Sequence, residues 1–232
     1  RQNEVKNGVK KEDSVMYPTS VHMQNCHFLD PASRVGWEEV FKHYEIPIDR
    51  SYLLFVGRLV NSKHPEDALK AMKVAIDKDP SIIGIFAGDG PMREELEQLA
   101  VSLGVTDNIK FLGNVDQETL SKFLYQCIIL APITGMALIE AGLGGSSIVA
   151  YDRDWHCEFI ENNENGFIVE FRDFNEMGKK ALELVKDFDL RSKFSGKIRE
   201  TAMAYADKEK IIKNQQDAYE KKFEKFYSTP LS

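Results

Sequence analysis

The sequence predicts an α/β fold: one doubly wound, parallel, six-stranded Rossmann-like sheet followed by C-terminal helices. Three observations carry this. Six short apolar runs alternate with segments of helical spacing. Several runs end abruptly at Gly57, Gly88, Gly113 or Pro132, where a strand gives way to a loop. Residues 128–152 contain a complete strand–loop–helix–strand unit, as parallel sheets require.

The elements follow in order. Residues 1–13 are polar and charged and read as a loose lead-in, Val15-Met16-Tyr17 as a short extended segment, and residues 35–44 as a helix. Residues 52–56 form the first strand, closed by Gly57-Arg58. Pro65 sits at a favoured first-turn position, and Ala68, Leu69, Met72, Ala75 and Ile76 keep helical spacing until Pro80. Residues 82–87 are the second strand, ending in Gly88-Asp89-Gly90, and Pro91 opens a helix carrying Leu96, Leu99, Ala100 and Leu103 on one face. Residues 109–112 are the third strand, and Asp116 caps the helix after it. Residues 128–131 and 147–151 are strands four and five, with a helix between them from about Met136 to the glycines at 142, 144 and 145. Residues 152–158 read as a loop, Phe159-Ile160 as a brief helical turn and residues 167–170 as the sixth strand. Residues 173–187 are helical, and residues 190–226 hold two helices broken near Asp207.

Composition bounds the function. The chain has 232 residues, 43% of them hydrophobic, which is ample for a core. A net charge of -7 gives neither the basic footprint of nucleic-acid binding nor a basic membrane patch. Cys26, Cys127 and Cys157 are scattered without a CxxC, which fits a reducing compartment and a cytoplasmic location. No apolar run approaches the roughly 20 residues that span a bilayer. The chain opens on Arg1 rather than Met, and reads as a fragment or processed product. His22, Cys26 and His27, and the run His156-Cys157-Glu158, lack the spacing of a metal site; packing or loop hydrogen bonding accounts for them.

The strand–loop–helix unit is the first candidate site. A loop at the carboxyl edge of a parallel sheet is where such folds bind ligands, and amides at a helix start suit a phosphate. Glu140 lies one turn into the helix, and helical side chains lean back toward the N-terminus. An exposed carboxylate there can accept hydrogen bonds from ribose hydroxyls, so the pair suggests a nucleotide. Arg58, at the end of the first strand, can clamp a diphosphate through its fork, and Lys63 adds a point charge. Taken singly, Arg58 reads more readily as a surface ion pair and Lys63 as a solvated loop charge. Gly88 and Gly90 allow a close backbone approach to a ligand or form a tight strand-to-helix turn. Arg93 occupies the third position of what would otherwise be a dinucleotide-binding GxGxxG.

Five short motifs, in this order across residues 50–185, resemble the C-terminal, donor-binding domain of GT-B glycosyltransferases, with family four the nearest match. They are Phe55-Val56-Gly57-Arg58-Leu59 with Lys63; Ala87-Gly88-Asp89-Gly90-Pro91 with Glu94 and Leu96; Ile109-Lys110-Phe111-Leu112-Gly113; Ala137-Leu138-Ile139-Glu140-Ala141; and Asn165-Gly166-Phe167. The resemblance implies a retaining enzyme of cell-envelope or polysaccharide synthesis. It would transfer a sugar from a nucleoside diphosphate sugar to an acceptor hydroxyl. Arg58 and Lys63 would stabilise the leaving diphosphate in place of a metal, so no cofactor or essential metal is expected. Gly57, Gly88, Gly90, Thr134, Gly135, Met136 and Ala137 would line the donor, Phe111 and Leu112 the base, and Glu140 the ribose. Phe111 reads equally as a core strand end. Residues 1–49 would be a connector from an absent N-terminal acceptor domain, through which the enzyme could also associate peripherally with a membrane. Residues 50–232 would be the nucleotide-sugar-binding domain.

One departure stands out. The family's Glu-x7-Glu places its first Glu eight residues before Glu140, where this chain has Pro132. Proline can neither accept a sugar hydroxyl nor donate a backbone hydrogen bond. Asp154, His156 and Glu158 are candidates to replace it, and Glu158 matches a Glu often found in the family at that position. A non-catalytic nucleotide-sugar-binding module and a GT-B sugar-nucleotide epimerase are the alternatives.

Overall fold

The computed structural model describes residues 35–133 and 135–207, with residues 213, 216, 217 and 220 beyond them. Its elements, in chain order, are α1 (Trp37–His43), β1 (Tyr52–Val56), a 3-10 turn (Asn61–Lys63), α2 (Pro65–Ile76), β2 (Ile83–Ala87) and α3 (Arg93–Ser102). Then come a second 3-10 turn (Thr106–Asn108), β3 (Ile109–Gly113), α4 (Gln117–Gln126), β4 (Ile128–Ala131), α5 (Ala137–Gly144) and β5 (Ile148–Tyr151). The order ends with α6 (His156–Phe159), β6 (Phe167–Val169), α7 (Phe174–Lys186) and α8 (Phe188–Ala206).

The strands form one sheet of six in the order β3-β2-β1-β4-β5-β6, and every pairing is parallel. Strand order reverses between β1 and β4, so the crevice of a doubly wound sheet opens at the carboxyl ends of these two. Both faces of a parallel sheet must be covered, and the side-chain alternation shows how. Leu53, Phe55, Leu130, Val149 and Tyr151 point to one core, with α2, α3 and α7 over them. Tyr52, Leu54, Ile129, Ala131, Ile148 and Ala150 point to the other, under α1, α4 and α5. The last helix serves both cores, through Phe194 on one side and Ile198 and Ala202 on the other. No helix among the described residues is long and apolar enough to cross a membrane.

Local chemistry sets the helix ends. Asp116 accepts from the Thr119 amide (2.7 Å) and Asp173 from the Glu176 amide (2.9 Å), so each caps its helix. Gly145, at φ 73°, closes α5 in the left-handed region. The helix α1, ahead of the boundary expected at residue 50, inserts fully buried Phe41 between Tyr52 and Phe123.

Three expectations are corrected. Residues 152–158 are not loop throughout: α6 begins at His156 and ends at Phe159, leaving Ile160 outside it. Buried Phe159 and His156 anchor that single turn. Pro91 does not open α3, which starts two residues later at Arg93. Glu140 is not an exposed carboxylate but 8% accessible. The expected segments at 1–34, including His22, Cys26 and His27, lie outside the described residues; of the second helix beyond Asp207 only residues 213, 216, 217 and 220 are described, each of them helical.

Candidate functional site

The loop after β1 carries the two candidate cations to the crevice. Gly57 has φ 151° and its amide donates to the Ala87 carbonyl (3.0 Å). Arg58 is exposed and Lys63 half-buried. Among the described residues neither side chain has a hydrogen-bond or ion-pair partner, so both charges are available to a ligand.

The loop after β2 forms a floor under this one. The Leu59 amide donates to the Asp89 carbonyl (2.9 Å), and the Met92 amide donates to the Leu59 carbonyl (3.1 Å). The contact is so close that a Cβ on Gly88 would lie 2.0 Å from the Gly57 oxygen, and one on Gly90 would lie 2.4 Å from the Leu59 oxygen. These glycines therefore answer first to the meeting of two loops, the tight-turn reading, and through it fix where Arg58 leaves the sheet.

The loop after β4 leaves the strand next to β1, on the other side of the switch point. Pro132 is buried, Gly135 exposed, and Met136 and Ala137 half-buried at the start of α5; Thr134 lies outside the described residues. The Leu138 and Ile139 amides turn inward, to the carbonyls of Gly135 (3.1 Å) and Met136 (2.9 Å). One turn in, Glu140 accepts from Gln117 Nε2 (3.2 Å) at the first position of α4. Its burial limits both water access and rotamers, so it presents a fixed acceptor. Sequence reasoning missed Gln117, since 23 residues separate it from Glu140 and only the packing of α4 on α5 brings them together.

The remaining candidates divide. Phe111 stacks on Phe86 (4.9 Å between centroids) and its carbonyl accepts from Arg93 Nη2 (3.3 Å). It lines a cavity of about 460 Å³ between α3 and β3, with Arg93, Glu97, Val101 and Ile109. Leu112 is the extra residue of a bulge, because Phe86 pairs with Phe111 and Ala87 with Gly113. Glu158 is half-buried on α6, its carbonyl accepting from the Tyr205 hydroxyl (2.9 Å). His156 is fully buried and its Nδ1 donates to the Tyr151 carbonyl (3.0 Å), which removes it from the residues that could hold a sugar. Cys157 donates to Asp152 Oδ1 (2.7 Å). Burial, then that hydrogen bond and the Asp152 charge, push its thiol up to about 12, so it stays protonated and unreactive.

Beside Lys63 lies a polar cluster that no sequence spacing announced. Arg172, after β6, donates to His64 Nδ1 and to Glu66 Oε1 (3.1 Å), and its Nε pairs with Asp67 Oδ2 (3.2 Å). The Tyr151 hydroxyl donates to the same Asp67 oxygen (3.1 Å). His64, Glu66 and Asp67 each offer a ligand atom within 4.8 Å of the others, and the Arg172 guanidinium is the cation that meets them. Burial raises the Asp67 carboxyl above its usual range, against the pull of Arg172.

Comparison with known proteins bears on the family and the fold. The family model "Glycosyl transferases group 1" matches residues 37–201. The poly(ribitol-phosphate) alpha-N-acetylglucosaminyltransferase of Staphylococcus aureus is 25% identical over 161 residues, covering 68% of this chain and 33% of that protein. The C-terminal domain of a glycosyl transferase group 1 family protein from Francisella tularensis superposes with TM-score 0.63 at 21% identity, over 73% of this chain and 92% of that one. An Anabaena protein solved in complex with UDP gives TM-score 0.71 at 21% identity, over 84% and 54%. The chain spans a third to a half of the length of the curated relatives it matches.

Proposed function

Because the chain belongs to the glycosyl transferases group 1 family, we propose that it is the nucleotide-sugar-binding half of a retaining glycosyltransferase acting in cell-envelope or polysaccharide synthesis. The observation that supports this is the adjacency of β1 and β4 at the switch point: the loop after β1 carries two cations with no partner among the described residues, and the segment after β4 leads into α5 with a buried acceptor one turn inside it. Arg58 and Lys63 hold the diphosphate. Thr134, Gly135, Met136 and Ala137 offer amides to it, and Gly57, Gly88 and Gly90 shape the floor. Glu140 accepts from the ribose, while Phe111 and Leu112 border the base. Glu158 stands in for the acid that Pro132 displaces. In the reaction the bond from the sugar's anomeric carbon to the diphosphate breaks, and the acceptor hydroxyl oxygen bonds to that carbon. The departing diphosphate takes the electron pair of the broken bond, the two cations meet its charge, and the proton lost by the acceptor hydroxyl passes to the diphosphate oxygen that has left. The acceptor side belongs to a domain outside this chain.

Calorimetry with UDP-, GDP- and ADP-sugars tests donor binding, followed by a turnover assay with the best donor and a broad acceptor panel. Binding by these 232 residues is expected to be measurable but weak, because one wall of the cleft is missing and water reaches the site. Transfer is expected only once the acceptor domain is supplied, and multiple turnovers by this chain alone would overturn the two-domain mechanism. Pro132 favours a second reading, a module that binds a nucleotide sugar without turnover. Transfer by the completed protein decides against it, and inversion at a ring carbon of the donor would identify an epimerase.

Glu140→Ala is expected to weaken UDP binding by roughly 1.5–3 kcal/mol, the worth of a hydrogen bond to a charged group. Since Glu140 is buried against Gln117, the variant is also expected to melt slightly earlier, by the loss of about 1 kcal/mol of hydrogen bonding. Glu140→Gln preserves the packing and separates the two effects. Unchanged UDP affinity in both variants would remove the ribose role.

A further inference from the structure

We propose that Arg172 is a positioning residue for Lys63, locking the β1 loop in its phosphate-binding shape; the inference rests on the donor-binding reading above. Lys63 ends a 3-10 turn, and the residue after it, His64, has φ 50° and ψ 48°. That left-handed region is avoided by side chains with a Cβ, and a residue held there needs its surroundings to over-determine it. Such strain is commonly relieved by placing glycine at the position or, at a helix start, by a capping hydrogen bond. Neither applies: the residue is histidine, and as the N-cap of α2 it makes no side-chain cap.

Its neighbour Glu66 reaches the ring (3.2 Å), and the rest of what grips it comes from the other half of the sheet. Arg172 Nη1 meets the His64 ring at Nδ1, which also lies 3.2 Å from Glu66 Oε1, so the guanidinium and the carboxylate it pairs with hold the ring together. Phe171 meets the same ring edge-on (5.5 Å). The grip has a rigid base, because the Arg172 fork also holds Glu66 and Asp67 in the first turn of α2. Asp67 has a side chain only 1% exposed and is pinned from β5 by Tyr151. Arg172 itself sits at φ 73° in the turn before α7. The guanidinium thus ties the carboxyl-edge loops of β1 and β6 to a buried anchor. Lysine is a point charge on a flexible stem and finds a phosphate only as well as its backbone is placed. A loose His64 would let the Asn61–Lys63 turn relax and carry the ammonium away from the ligand.

Calorimetry on the full chain with UDP, and with uridine as the uncharged control, tests this. Arg172→Met is expected to weaken UDP binding about fivefold or more, the scale on which misplacement of a binding group acts, and to leave uridine binding unchanged. Arg172→Lys keeps the charge but cannot span three partners with one fork, and is expected to recover only part of the loss. His64→Gly adopts the left-handed conformation unaided. In that background Arg172→Met should cost UDP affinity less than half of what it costs in the parent chain. If Lys63→Met weakens UDP binding while a folded Arg172→Met does not, the positioning role is wrong and the donor-binding reading stands. Equal losses for UDP and uridine would show a merely structural role. If Lys63→Met has no effect on UDP, the donor-binding reading itself fails. Should Arg172→Met not fold, Arg172→Lys in the parent and His64→Gly backgrounds makes the same comparison.

Discussion

Gly88→Ala is expected to destabilise the fold by about 3 kcal/mol or more, the sum of backbone strain and forced overpacking. The backbone at Gly88 has φ 141°, where L side chains are strained whatever the space. Here there is no space either, since the new methyl would sit 2.0 Å from the Gly57 oxygen and 2.8 Å from its carbonyl carbon. Neither atom can swing aside as a side chain would. The Gly57 amide donates to the carbonyl of Ala87, the last residue of the interior strand β2, and the Gly88 amide to the Gly113 carbonyl at the sheet edge (2.8 Å). The two loops must part, and with them the start of the segment that carries Arg58. For a chain of this size the loss corresponds to a fall of about 6–12 °C in melting temperature. Gly196→Ala is the control. It lies inside α8, has nothing within 4 Å of the new methyl, and should melt slightly later, since alanine is the better helix former. Melting of Gly88→Ala at the parent temperature would show that the loop contact is slack, and with it the argument for the floor of the site.

Much of this architecture is legible in the chain because a parallel sheet leaves a strong local imprint. Tyr52–Val56 and Ile128–Ala131 have the bounds the apolar runs predict, since both strands are covered on each face. Asp116 and Asp173 announce their helices because capping is a contact three residues long. The places of the candidate residues were legible where they depend on loop positions in sequence, as with Arg58 and Lys63 after β1 and the start of α5 after β4. It was not legible where it depends on which helices touch. The burial of Glu140 comes from α4 lying against α5, and neither segment's periodicity encodes that contact. A single-turn helix such as His156–Phe159 is too short to show a period, so it read as loop. The Arg172 cluster was invisible for a stronger reason: the contacts that Tyr151 and Arg172 make with His64, Glu66 and Asp67 join residues 84 to 108 apart, which converge only because β5 and β6 follow β4 across the sheet. Gly88 and Gly90 were visible as a motif with two meanings, and only the distances to Gly57 and Leu59 show which one the fold requires.

The replacement of both Arg58 and Lys63 by Met is expected to weaken UDP binding by about 3 kcal/mol, near a hundredfold in Kd, from two charge-assisted contacts. Nucleoside binding should change little, because the attraction is to the diphosphate charge. The side chains are well placed for this contrast: neither serves a described partner, so their loss removes no ion pair that the fold uses. Methionine preserves most of the aliphatic stem that each presents to its loop, and the melting temperature should stay near that of the parent. Two further readings follow from the same electrostatics. Raising the salt concentration should weaken UDP binding by the parent chain, since both groups are accessible enough to be screened, while the double variant should show a much shallower dependence. EDTA should leave the parent affinity unchanged, because two fixed positive charges do the neutralising that a divalent ion would otherwise do. A strict requirement for magnesium or manganese, or equal losses for UDP and uridine in the double variant, would show that the diphosphate is not held by Arg58 and Lys63 and would move the phosphate site elsewhere on the sheet edge.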